Sequence, residues 1–346
     1  MNTYNSKNER VKKEYFKYQK EAKQKCEITL NGIRKAIARY EEYTGYKDFS
    51  SFNKEQAIAF KKKIASANNK RTGEPLSKSS LLATVNALKD FFLWLAYQKG
   101  YKVKIDILEI DYLNLSEKDV RAAKQPKYKD YPTLEQVRKV IFSMPFNTEI
   151  ERRNRAVIAF TALTGARDMA IVSLKLKHVR LDKDLVIQDP QEVKTKFSKR
   201  IHTWFFPIGN DIKQIVIDWV NYLKTEKLYG NNDPLFPRTA LGHDKNKSFI
   251  ATGLDQHHWN TTTPIREIFK EAFEKIGLPY FNPHSLRNTL VNLGEQLCQT
   301  PEQFKCWSQN LGHEHVLTTF TSYGYVDLNR QGEIIKKIGM KSTITS

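Results

Sequence analysis

Cysteine is scarce in this chain: Cys26, Cys298 and Cys306 are the only three among 346 residues. Their spacing suits no metal site, which argues against a disulfide-stapled or zinc-built scaffold and points to a reducing compartment. Long apolar runs are missing too. Nothing approaches the ~18 residues of a membrane span. Met1-Asn2-Thr3-Tyr4-Asn5-Ser6-Lys7 lacks the apolar stretch of a secretion signal, so a cytoplasmic protein is expected. There is no phosphate-cradling glycine loop and no carboxylate cluster of the two-metal kind, so neither a nucleotide cofactor nor a divalent metal is implied. Acidic residues are also short, 38 against 57 Lys and Arg, for a formal net charge of +19.

That excess implies a polyanionic partner. It is uneven: residues 1–130 carry 28 Lys/Arg against 16 Asp/Glu, a net of +12, and the remainder carries +7. A positive, aromatic-bearing front half suits contact along a duplex backbone, where each neutralised phosphate steepens the salt dependence by about 0.9 in log–log slope. Hydrophobic residues at 40%, aromatics at 12%, can fill cores, so the chain is not a disordered one. Its length allows two domains.

Periodicity divides the chain. Residues 8–26 are lysine-rich and helix-permissive, with Tyr15, Phe16 and Tyr18, and 1–26 read as a flexible basic arm that orders on DNA. An apolar stripe of Ile28, Leu30, Ile33, Ile37 and Tyr40 predicts a helix over about 28–43, stopped by Gly45. Asn53 starts a second over about 54–66, and Ser77 opens a third to about 98, ended by Gly100. Together they predict a small all-helical domain over 1–116. Residues 117–132, where the periodicity lapses, read as an exposed basic linker. A capping box, Thr133-Leu134-Glu135-Gln136, opens a second domain over 133–325. Helices are expected there over about 151–164, 210–226, 264–276 and 284–298, with strands at Leu185-Val186-Ile187 and His202–Phe206 around a basic turn. The expected class is mainly α with a small β-sheet.

Within the second domain lies a set of phosphate-grade cations. Thr164-Gly165-Ala166-Arg167 ends an apolar helix. Much later come His284 and Arg287 in Pro283-His284-Ser285-Leu286-Arg287, then Leu311-Gly312-His313, then Tyr323 in Thr321-Ser322-Tyr323-Gly324-Tyr325. Two arginines and two histidines can surround one phosphate. Arginine suits this because its planar fork stays protonated and can bond two oxygens at once. A phosphodiester under attack spreads negative charge over its non-bridging oxygens, which pre-placed donors stabilise. Surrounding cations favour the phenolate of a tyrosine, and a phosphotyrosine stores the energy of the broken bond. His284 and Arg287, three apart, share a helix face whose amino terminus adds positive field.

In this order and spacing the motifs resemble the tyrosine recombinases of the phage-integrase family, whose catalytic domain reads Thr-Gly-x-Arg, a hairpin lysine, His-x-x-Arg, Leu-Gly-His and a tyrosine. The resemblance covers most of the chain. It implies a two-domain architecture: a helical core-binding domain, a mixed α/β catalytic domain, and a tail over 326–346 that packs in cis or on a neighbouring subunit. The hairpin lysine, general acid for the leaving 5′-oxygen, falls among Lys194, Lys196 and Lys199, with Lys196 preferred as nearest the turn's middle. The usual nine-residue step from His313 lands on Ser322, so Tyr323, one further, is preferred to Tyr325. The glutamate usual three residues after the first arginine is replaced by Ala170, and Asp168 is the candidate orienting carboxylate. The implied site is therefore Arg167, Lys196, His284, Arg287, His313 and Tyr323. The implied partners are double-stranded DNA and, upon it, three further copies in a homotetramer, the free protein being a monomer or weak oligomer. The implied activity is strand breakage and rejoining through a 3′-phosphotyrosyl link, with integration or excision of a mobile element as the task. The competing readings are a catalytically idle DNA-binding protein of the same fold and a type IB topoisomerase-like nicking and closing enzyme.

Overall fold

The structure, a computed structural model, describes residues 4–69, 73–125, 130–195, 199–243, 246–313 and 331–333. It divides into two compact units, Met1–Gln125 and Pro126–Ser346.

The first unit is helical. It comprises α1 (Ser6–Lys17), continued by a π-helical turn over Tyr18–Ala22, α2 (Glu27–Thr44), α3 (Lys54–Ala65), α4 (Lys78–Ala96), the short α5 (Ile107–Ile110) and α6 (Glu117–Lys124). Its core is aromatic. Tyr15, Tyr40, Phe49, Phe52, Phe60, Phe91 and Phe92 are buried together. Phe52 stacks on Phe92 at 4.1 Å between centroids, and Tyr15 meets Phe91 edge-on at 5.0 Å. Such pairs add to the area they bury.

Three expectations need correction here. Residues 6–22 form a docked helix and turn in place of a flexible arm. Asn5 caps α1, Tyr15 is fully buried, and the buried Asn8 side chain donates to Glu41 Oε1 at 3.2 Å and accepts from the Phe49 amide at 3.1 Å. Lys7, Lys13, Lys17 and Lys20 are exposed, whereas Lys12 turns inward to pair with buried Glu41 at 2.7 Å. The supposed linker also begins later, because residues 117–124 are α6, capped by Ser116, packed against α4 and tied to it by Lys78–Asp119 at 2.8 Å. No α6 residue is buried, so apolar periodicity had nothing to report. Finally, Ile28, expected on the apolar stripe of α2, is exposed in its first turn.

The second unit is built on α8 (Glu149–Thr164), buried continuously from Ala156 to Thr164. Around it lie α7 (Leu134–Ser143), α9 (Asp168–Ile171), α10 (Asn210–Thr225), α11 (Thr263–Glu274), α12 (Ser285–Leu297) and α13 (Pro301–Asn310). The Thr133/Gln136 capping box is present, and a second, Thr148/Glu151, starts α8. Strands β1 (Val179–Arg180), β2 (Leu185–Gln188) and β3 (Ile201–Trp204) form an antiparallel sheet in that order, with Leu185 opposite Trp204 and Gln188 opposite Ile201. A separate ribbon, β4 (Arg238–His243) with β5 (Phe249–Asp255), has no counterpart in the sequence reading. Most of β5 is exposed, so the strand shows no in–out alternation. Glu149 anchors its base, accepting from the Leu254 amide at 2.7 Å and from Lys227 at 2.8 Å.

Candidate active site

Helix α8 delivers the first motif. Its cap, Gly165, has φ +58°, a left-handed conformation that glycine adopts without cost. A Cβ there would lie 2.9 Å from Leu311 Cδ2 and 3.0 Å from Leu290 Cδ1. Thr164 Oγ1 accepts from the Ala166 amide at 3.1 Å, and Phe206 donates its amide to Leu163 O at 2.8 Å. The chain then turns into α9 with Arg167 at the N-cap, half-buried. Asp168, the candidate orienting carboxylate, is itself held by Arg266. Its Oδ2 accepts from Arg266 Nε at 3.1 Å and Nη2 at 2.6 Å, and its Oδ1 accepts from the Met169 amide at 3.0 Å. Ala170 is wholly buried.

Arg287 joins the remaining motifs. It stands in the first turn of α12 with 2% of its surface exposed. Nη1 donates to Gly165 O at 2.6 Å; Nη2 donates to Leu311 O at 2.6 Å and to His313 Nε2 at 2.8 Å. One guanidinium thus ties together backbone separated by 122 and by 24 residues. Burying such a charge is costly unless its protons find acceptors, and those of the two terminal nitrogens do. The contact with Arg287 makes His313 Nε2 the acceptor, leaving the ring proton on Nδ1. His313 is itself buried, its amide bonded to Ser308 O at 3.2 Å, and Gly312 before it (φ +71°) lies against Ile201. His284, at the N-cap of α12, is exposed, and its carbonyl accepts from the Arg287 amide at 3.1 Å.

Sequence reasoning missed the supports. Asn310 mimics a strand residue, accepting from the Trp204 amide at 2.7 Å and donating to Trp204 O at 2.9 Å, which fixes Leu311-Gly312-His313 beside β3. An asparagine abutting the motif was the available signal. At the root of the β2–β3 turn, Glu192 gathers Lys177 (2.7 Å), His178 (3.0 Å) and Lys175 (3.3 Å). Bonds from Lys177, then from His178, hold its carboxyl down at about 2. Next along, exposed Lys194 donates its amide to Ser173 Oγ at 2.9 Å, and Lys199 is half-buried on the far side of the turn. Lys196, Tyr323 and Tyr325 lie outside the described residues, as does the tail apart from 331–333.

Arg287 thus brings Gly165, two residues before Arg167, together with Leu311 and His313, and His284 stands at the amino terminus of the same helix as Arg287. Donors fixed before a ligand arrives need no reorganisation to meet developing negative charge. Among the described residues no helix is long and apolar enough to cross a membrane.

Residues 133–330 match the model of the phage integrase family. The fold resembles that of XerH site-specific recombinase bound to palindromic difH substrate (TM-score 0.60, 17% identity, 94% of this chain and 84% of that one). It also resembles the Tn1549 transposon integrase in complex with transposon right end DNA (0.59, 13%, 95% and 99%). A third similar structure is a lambda integrase dimer bound to a COC′ core site (0.58, 12%, 92% and 99%). No curated protein matches the chain by sequence.

Proposed function

Since the chain belongs to the phage integrase family, we propose that it is a site-specific DNA recombinase that cuts and rejoins strands through a 3′-phosphotyrosyl intermediate. Tyr323 Oη attacks the scissile phosphorus, forming the P–Oη bond as the bond to the 5′-oxygen breaks. Lys196 gives that oxygen its proton, and His284 assists removal of the phenol's proton. Arg167, Arg287 and His313 stabilise the charge gathering on the non-bridging oxygens. Arg287 acts largely from behind, since its Nη atoms also hold Gly165 and Leu311 in place.

The observation that carries this reading is the bridge from Arg287 to Gly165, Leu311 and His313, which makes one locus of three motifs scattered along the chain. Partnership with double-stranded DNA is supported by the +19 charge and by the DNA-bound structures of like fold, and we place the chain in the cytoplasm as part of the proposal. We extend the proposal to a homotetramer on DNA and to integration or excision of a mobile element, for which the transposon integrase is a fold-level analogy only.

The test begins with footprinting on DNA flanking the gene. The protected duplex, nicked near the crossover point, then serves as a suicide substrate. A covalent adduct surviving denaturation and lost in Tyr323→Phe supports the proposal. Binding without adduct would leave a DNA-binding protein that does no chemistry. An adduct mapping to Tyr325 would move the nucleophile.

A further inference from the structure

Arg167 is pinned from both sides. Two residues before it, the Gly165 carbonyl accepts from Arg287 at 2.6 Å. One residue after it, Asp168 Oδ2 accepts from both Nε and Nη2 of Arg266, at 3.1 and 2.6 Å. The other Asp168 oxygen accepts from the Met169 amide at 3.0 Å, so this carboxylate starts α9 and grips α11 at once. Tyr280, on the segment leading to His284, sits beside the same pair. Burial pushes its phenol up, with Arg266 opposing the rise and Asp168 adding to it. At position 170, where a glutamate would be usual, Ala170 is buried and offers no carboxylate.

We propose that Arg266 is a positioning residue: it holds Asp168, and through Asp168 fixes the elbow that presents Arg167 to the scissile phosphate. The inference rests on the function proposed above and deepens it. The Arg266 side chain is 56% exposed and that of Asp168 23%. An ion pair so open to water contributes little to folding. Its value lies in geometry. A guanidinium gripping one oxygen with two nitrogens fixes direction as well as distance, and a small misplacement of a group at the reacting centre can slow a reaction roughly a hundredfold. Truncating Arg266 should therefore reach the rate and spare the fold.

The experiment compares wild type, R266A, R266K, D168A and D168A/R266A. Each is assayed for single-turnover adduct formation on saturating nicked suicide duplex, for DNA Kd and for Tm. We expect R266A to slow cleavage by roughly tenfold to a hundredfold, with Kd and Tm near those of wild type. R266K should recover part of the rate. Because Arg266 acts through Asp168, the double variant should be no slower than the slower single variant. The inference is overturned if R266A cleaves at the wild-type rate, if the two losses multiply, or if weaker binding or lower Tm accounts for them. A wild-type protein that forms no adduct would sink the proposed function and this inference with it; an adduct with R266A unimpaired would sink this inference alone.

Discussion

Replacing Gly165 by alanine tests how tightly the site is built. The added Cβ meets two penalties. At φ +58° a side-chain-bearing residue occupies left-handed backbone, at a cost of roughly 1–2 kcal/mol. Leu311 Cδ2 and Leu290 Cδ1 would then lie at 2.9 and 3.0 Å, so both must move. Overpacking costs about 1–3 kcal/mol, and the low end applies because methyl ends of leucines can yield. The sum is about 2–4 kcal/mol, or a fall of about 5–15 °C in Tm for a unit of this size. Gly277→Ala is the internal control. It lies in the same unit, at φ +76°, with nothing within 4 Å of the added carbon, and should cost only the conformational part, about 1–2 kcal/mol. Thermal unfolding of both variants by calorimetry separates crowding from strain. If Gly165→Ala melts no lower than Gly277→Ala, the packing of Leu290 and Leu311 against this elbow is looser than described, and the reasoning fails.

Arg287→Lys keeps the charge and loses the fork, so a single ammonium must serve Gly165 O, Leu311 O and His313 Nε2. With buried unsatisfied acceptors at about 1–3 kcal/mol apiece, a loss of about 2–4 kcal/mol is expected in urea unfolding, together with loss of adduct formation. Unchanged stability would mean that the guanidinium is no keystone. For Glu192 the sign is that of a depressed carboxylate. Its pairing with Lys177 and His178 is in force above the ordinary value of 4.5 and fades as pH falls through about 2. A carboxyl-carbon NMR titration should place its midpoint near 2, moving up in Lys177→Ala, and a wild-type midpoint at 4.5 would refute the ion-pair geometry.

The strongly patterned elements were readable because burial on one face leaves a period in the sequence. α2–α4, α8 and α10–α12 fall close to their expected spans, and β2 and β3 match alternation around a basic turn. Elements lacking such a face escaped. α6 buries nothing, β5 is largely exposed, and α13 buries only Phe304 and Ser308. α1 was legible as helix-permissive with Tyr15 among its aromatics, but a run of lysines gave no sign that Asn8 and Tyr15 hold it to the core. Of the candidate site, the chemistry-bearing residue types were legible in short motifs. The groups that hold them were not, because Arg266, Asn310 and Glu192 gain meaning only from partners 98, 106 and 15 residues away.

Sequence alone determined the inventory: a chain rich in positive charge, helices where apolar stripes recur, and an ordered series of cations suited to a phosphate. Tertiary structure decided how those cations are used. It turned Arg287 inward as a support, gave Asp168 to Arg266, and set Leu311-Gly312-His313 against β3 through Asn310. The physical reason is that composition and periodicity record which side chains leave water, whereas a hydrogen bond depends on where two distant backbones come to rest.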